Sequence, residues 1–179
     1  MLRKDLTKKT GIMKRRNFLI LGSALGLFSY LKLKKSDDFE VAFKNVKPTI
    51  EAVQGHMFPQ NSKLPLSLQT SLFMYETMSH PSFDKDIRVF VLEGASELEK
   101  RHDNHFTSLA AQEKEIALRA YEETNYGSAW LSQIMTLTLE AHFSDPIYGV
   151  NKNEKYWDEV GAYGGLPRPK QRYIGTIDV

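Results

Sequence analysis

The sequence predicts an all-α protein: a small bundle of about five helices followed by an extended, irregular C-terminal segment rich in glycine, proline and aromatic residues. Three observations predict it. Apolar residues recur at helical spacing from Pro48 to Phe143. Proline and small polar clusters interrupt that pattern where helices should start and stop. From about residue 144 the period is lost, and "SDPIYGVNKNEKYWDEVGAYGGLPRPK" carries Gly and Pro at turn positions. The chain has 179 residues, 41% of them hydrophobic, which suffices for one domain with a real core behind a leader. Its organisation is expected as a leader over residues 1–35, a charged linker over 36–47, and a helical domain over 48–179.

Each helix has its own signals. "PTIEAVQGHMFP" places Ile50, Val53 and Met57 on one face, with Pro48 suited to a first turn and Pro59 to a stop. "LSLQTSLFMYETMSH" offers Leu68, Leu72, Tyr75 and Met78 as its inward face, and His80-Pro81 breaks it. A third helix starts near Ser82 or Asp84 and runs to about Lys100, with Ile87, Phe90, Val91, Ala95 and Leu98 apolar. In "SLAAQEKEIALRAYEET" we expect Leu109, Ile116 and Tyr121 inward, and Gln112, Glu113, Lys114, Glu115 and Arg119 outward. "SAWLSQIMTLTLEAHF" is the most apolar stretch and so the expected central helix.

The charge is unevenly distributed. Residues 1–35 hold ten Lys/Arg against one acid, a net of +9, so the overall +2 leaves −7 for residues 36–179. An acidic body lacks the basic face that phosphate binding needs, and nucleic acid is not an expected partner. Within the leader, "MKRRNFLILGSALGLFSYLKLKK" sets Arg15 and Arg16 ahead of Phe18 and Leu19 and a 14-residue apolar run to Leu31. At 1.5 Å per residue that run spans roughly 21 Å, short of the ~30 Å hydrocarbon core, and it fits the h-region of an export signal. The pattern R-R-x-F-L resembles the twin-arginine signal, an address read by the twin-arginine translocase, which carries folded proteins. A periplasmic location follows as the expectation. No A-x-A site follows the run, so either cleavage near Ser29 to Ser36 or retention as a membrane tether stays open.

Reactive chemistry has few footholds. The chain has no cysteine, which excludes disulfides, thiol nucleophiles, thiolate iron–sulfur ligation and covalent haem c attachment to it. No dinucleotide, Walker, nucleophile-elbow or H-E-x-x-H motif occurs. The best metal candidate is Glu99, His102 and His105 in "ELEKRHDNH", half of a di-iron carboxylate pattern whose second Glu-x-x-His is missing. His56 at a helix end is expected to cap or pack, and His142 to make a local hydrogen bond with Asp145 across a turn. Met57, Met74, Met78 and Met135 read as core filler, and Glu122-Glu123 as a solvated face. No catalytic constellation is expected, and no cofactor in this chain; a free-standing exported metal-binding protein or enzyme is the alternative.

The segment "HFSDPIYGVN", followed by "YWDEVGAYGG", resembles the family named after gluconate 2-dehydrogenase subunit 3. The resemblance rests on Asp145, Pro146, Tyr148, Gly149, Asn151 and Trp157, which match its D-P-x-Y-G-G-N segment and following tryptophan. "IEAVQGHMFP" and "FTSLAAQEKEIAL" are similar to the family's opening and mid-chain helices, so the likeness covers roughly 48–167. Val150 stands where the family commonly has a second glycine, so its backbone should not need positive φ, and "GAYGGLPRP" replaces a compact Gly-Tyr-Pro-Gly. The resemblance implies a small subunit that accompanies an FAD-dependent dehydrogenase of a sugar or sugar acid, often with a cytochrome carrying haem c at the inner membrane. It also implies that this chain supplies the export signal for the pair. The six matching residues would then meet the partner, with Tyr148 and Trp157 exposed and the aromatic tail acting as a clamp.

Overall fold

A computed structural model describes residues 36–174, which form six α-helices and three short 3-10 turns with no strand among the described residues. Arg15, Arg16, Phe18 and Leu19 lie outside the described residues. The helices are α1 (Ser36–Met57), α2 (Thr70–Ser79), α3 (Lys85–Arg101), α4 (Ala111–Glu122), α5 (Asn125–His142) and the short α6 (Lys155–Val160). Five make the expected bundle. The sixth belongs to the C-terminal segment, which is therefore less extended than the loss of period suggested.

α5 is central and packs against α1, α2, α3 and α4. Its Trp130, Ile134 and Leu137 are buried. It lies close against α3. A Cβ on Gly94 would lie 2.0 Å from Trp130 Cδ1, so only glycine lets the indole reach that backbone, where Nε1 donates to Val91 O at 3.0 Å. Both helices start on side-chain caps: Asp84 accepts from Asp86 N and Ile87 N, and Thr124 from Gly127 N, satisfying backbone donors that the first turn leaves open.

Residues 36–47, expected as a linker, are the first three turns of α1. The helix runs through Pro48, where one backbone hydrogen bond is lost at a cost of about 3 kcal/mol. What offsets it is a continuous buried stripe of Phe39, Phe43, Val46, Ile50 and Val53. Burial of a Phe or Val side chain contributes roughly 1.5–3 kcal/mol. Tyr75 of α2 stacks on Phe39 (5.7 Å, 4°) and Arg88 of α3 lies 4.8 Å over the same ring, so tertiary contacts carry the helix past its proline.

Two helices bury the expected face only in part: Met78 and Tyr121 are buried and Tyr75 packs on the core as expected, while other residues differ. In α2 the inward residues are Thr70, Phe73, Met74 and Met78, while Leu68, ahead of the helix, is 95% exposed and Leu72 also faces water. Both stripes have helical spacing, and the placement of α2 against α1 and α5 chooses between them. In α4 the buried residues are Ala117, Leu118 and Tyr121, whereas Ile116 is 62% exposed. Leu109 precedes α4, so the expected Leu109–Ile116–Tyr121 stripe never shared one helix. α3 buries Val91, Ala95 and Leu98 as its spacing predicted.

Candidate functional site

The segment after α5 is folded back on the bundle by specific polar bonds. Asp145 caps the turn Pro146–Tyr148, accepting from Ile147 N at 3.0 Å, with Pro146 at a position where no donor is needed. Gly149 closes the turn at φ 87°, which a side chain would strain, and its N–H donates to Pro146 O. Val150 has no positive φ and is buried against Phe73, Ala141 and Tyr156, so the departure from a second glycine matches its backbone. Asn151 is buried, and its Oδ1 accepts from Tyr156 N at 2.8 Å at the start of α6. Its Nδ2 has no hydrogen-bond partner.

Trp157, expected at the surface, is only 7% exposed, and its Nε1 donates to Phe143 O at 3.0 Å. Tyr148 is half-buried, edge-on to Phe73 at 5.5 Å, and its hydroxyl accepts from Tyr173 N. The exposure foreseen for these two rings is thus corrected: both belong to this chain's own packing, because the Trp157 indole donates to Phe143 O while Tyr148 packs edge-on to Phe73 and accepts from Tyr173 N. The large apolar side chains that do face water come later, at Val160, Tyr163, Leu166 and Tyr173.

Arg168, which no sequence signal singled out beyond its flanking prolines, holds the segment together. It pairs with Glu154 at 2.5 Å and Asp145 at 3.5 Å, and its guanidinium lies 4.5 Å over Trp157 and 5.4 Å over Tyr163. Glu154 sits at φ 62°, a left-handed conformation unfavourable for glutamate, beside Asn153 at φ 58°. Gly164 passes so close that a Cβ would lie 2.3 Å from both Trp157 and Arg168. Arg172 ties the end down through Ile147 O and Glu76.

His142 is fully buried, stacked on Tyr156 (4.3 Å, 3°) and edge-on to Phe58 at 4.9 Å. Neither ring nitrogen has a hydrogen-bond partner, so the bond expected with Asp145 is not made; Asp145 is taken by Ile147 N and Arg168. Burial, and secondarily the charge of Lys155, lower the His142 pKa to about 4, which keeps the ring neutral. One turn earlier Thr138 accepts from Gln54 Nε2 at 2.9 Å, and Gln54 Oε1 is unpartnered.

The remaining candidates have structural partners. Glu99 accepts from Thr49 Oγ1 at 2.8 Å and Phe106 N at 3.1 Å, His105 Nδ1 bonds Asp103 O, and His102 packs on Phe106. The three do not converge, and no cluster of three metal-ligating side chains occurs among the described residues. His56 does not cap its helix but bonds Glu115 Oε2 at 2.6 Å. Glu115 also accepts from Arg119, and Glu122 pairs with the same arginine. These groups rim a cleft of about 420 Å³ between α4 and α5, floored by Met57, Leu118, Leu131 and Met135. Hydrogen bonds from His56 and then Arg119 lower the Glu115 pKa. Met74 and Met78 are core filler as expected, while Met57 and Met135 line the cleft.

The fold and its polar-strapped tail thus define a small all-α helical-bundle protein. The chain belongs to the gluconate 2-dehydrogenase subunit 3 family, whose model matches residues 45–165. No curated protein and no solved structure matches the chain. The match runs from the third turn of α1 to Gly165 and contains all six residues that carried the resemblance. No helix among the described residues is long and apolar enough to cross a membrane.

Proposed function

We propose that this chain is a non-catalytic accessory subunit of a gluconate-dehydrogenase-type complex. It stabilises an FAD-dependent large subunit and supplies the twin-arginine address by which the pair leaves the cytoplasm folded. The observation that carries this reading is the family match over residues 45–165, nearly the whole helical body. Two further facts support it. Three of the candidate side chains are engaged inside the chain: Glu99 by Thr49 and Phe106, His56 by Glu115, Asp145 by Ile147 and Arg168. The leader, net +9, carries Arg15-Arg16 followed after Asn17 by Phe18 and Leu19. On this reading FAD and haem c reside in partner subunits, a dehydrogenase and a cytochrome, and the complex works at the periplasmic face of the inner membrane.

The test is co-expression with a candidate FAD-dependent dehydrogenase large subunit from the same organism. Arg15→Lys with Arg16→Lys should leave both proteins in the cytoplasm and abolish dye-linked sugar or sugar-acid oxidation in the periplasmic fraction. Undiminished flavoprotein activity in that fraction would overturn the escort role. Failure of the two wild-type chains to co-purify would overturn the subunit role.

A further inference from the structure

Beyond α6 the chain is tied to the bundle at few points. Of residues 161–171 only Gly165 and Arg168 are not exposed. Among the described residues from 163 to 171, Arg168 alone makes hydrogen bonds or ion pairs with the rest of the fold. One side chain therefore pins the whole stretch.

What receives Arg168 is a cage built from four side chains and one stretch of backbone. The rings of Trp157 and Tyr163 lie with their centres 4.5 and 5.4 Å from its Cζ. Glu154 Oε1 accepts from Nη2 at 2.5 Å, and Asp145 Oδ2 from Nη1 at 3.5 Å. Asp145 Oδ1 is taken by Ile147 N, which leaves Oδ2 for the cage. The Gly164 backbone closes one side, since a Cβ there would lie 2.3 Å from both the indole and Nη1. A planar, delocalised cation can lie against two rings while its fork reaches two separate carboxylates. A lysine ammonium is a compact point charge and cannot meet the whole set at once. The geometry therefore selects guanidinium.

The cage and its occupant belong to different parts of the chain. Asp145, Glu154, Trp157 and Tyr163 lie within residues 45–165, the stretch that matches the family, and Arg168 lies beyond it. The Arg168 and Glu154 side chains remain 26% and 41% exposed, so water screens their pair and reaches the cage mouth. We propose that the cage is a recognition site for a guanidinium group presented in trans, with Arg168 as its built-in, exchangeable occupant. Exchange frees residues 163–171 by withdrawing one side chain. It wets little new apolar surface, because Tyr163 and Leu166 already face water and the incoming cation covers the Trp157 ring that Arg168 leaves.

The test is calorimetric titration of the full-length chain with the tetrapeptide acetyl-Leu-Pro-Arg-Pro-amide, its lysine counterpart and N-acetylargininamide. Arg168→Ala vacates the cage and should bind the arginine peptide about tenfold more tightly than wild type, where the tethered Arg168 competes at millimolar effective concentration. The lysine peptide should bind that variant about tenfold more weakly, for want of stacking and of the fork. Arg168→Gln, which keeps a polar side chain, is run beside it, and circular dichroism checks both folds. Equal affinity of the arginine and lysine peptides for the folded variants would overturn the proposal. So would equal affinity for variant and wild type, or no binding to either variant. Two sources carry the group, an arginine within a polypeptide and a free guanidino compound. Tighter binding of the tetrapeptide than of N-acetylargininamide assigns the first, and equal or weaker binding the second. Every outcome is read on this chain alone, so the escort role stands or falls separately.

Discussion

The bundle and its C-terminal strap are stabilised in different ways. Around Trp130 the core is apolar: Phe39, Phe43, Ile50, Val53, Met74, Val91, Leu98 and Ile134 fill the space between α1, α2, α3 and α5. The strap has a small apolar cluster of Phe73, Ala141, Val150 and Tyr156, and relies on individually placed polar bonds. Trp157 reaches Phe143 O, Tyr156 reaches Pro65 O, Asn151 Oδ1 accepts from Tyr156 N, and Arg168 and Arg172 pin the end. Apolar burial is non-directional and tolerates exchange at constant volume, whereas a buried donor or acceptor that loses its partner costs its full desolvation. The strap should therefore fail locally and residue by residue, and the bundle as a whole.

Three measurements break or sharpen that contrast. Trp130→Ala removes the largest buried side chain and the indole's hydrogen bond to Val91 O, so stability should fall by about 3–5 kcal/mol in denaturant melts, with every probe moving together. A local loss confined to α5 would erase the distinction. Next comes His142, at the junction of the two regions. Its folded pKa of about 4 lies below the ordinary 6.5, so the unfolded chain binds the proton more readily. The stability it contributes is complete above pH 6.5 and lost as pH falls towards 4, by roughly 3 kcal/mol. His142→Phe should flatten that slope relative to wild type, read as unfolding free energy between pH 7 and 4. The smallest effect is expected from Trp157→Phe, which leaves a smaller aromatic ring and deletes the donor to Phe143 O. A loss of about 1–3 kcal/mol is expected, seen as faster amide exchange in residues 145–174 with the α3 and α5 core amides unchanged.

Much of the fold was legible because helical period and punctuation are local properties. The breaks at Pro59, His80-Pro81 and Glu123-Thr124 all fall where helices end or begin, and the apolar richness of α5 marked it as central. The polar site was hardly legible. Arg168 meets Asp145 from 23 residues away, and His56 meets Glu115 from 59, distances at which sequence spacing carries no signal. Exposure of Trp157 was misjudged for the same reason: the carbonyl that receives its N–H lies 14 residues back, brought near only by the turn at Gly149.

The sequence by itself determined the helical class, the basic leader before an acidic body, the absence of thiol chemistry and the family motif from Asp145 to Trp157. These are consequences of composition, charge and short-range period. Only the tertiary structure decided that α1 runs through Pro48, that α2 buries Phe73 and Met74 rather than Leu68 and Leu72, and that His142 lies neutral between Phe58 and Tyr156. In each case the deciding contacts come from a neighbouring element and are absent from any one segment.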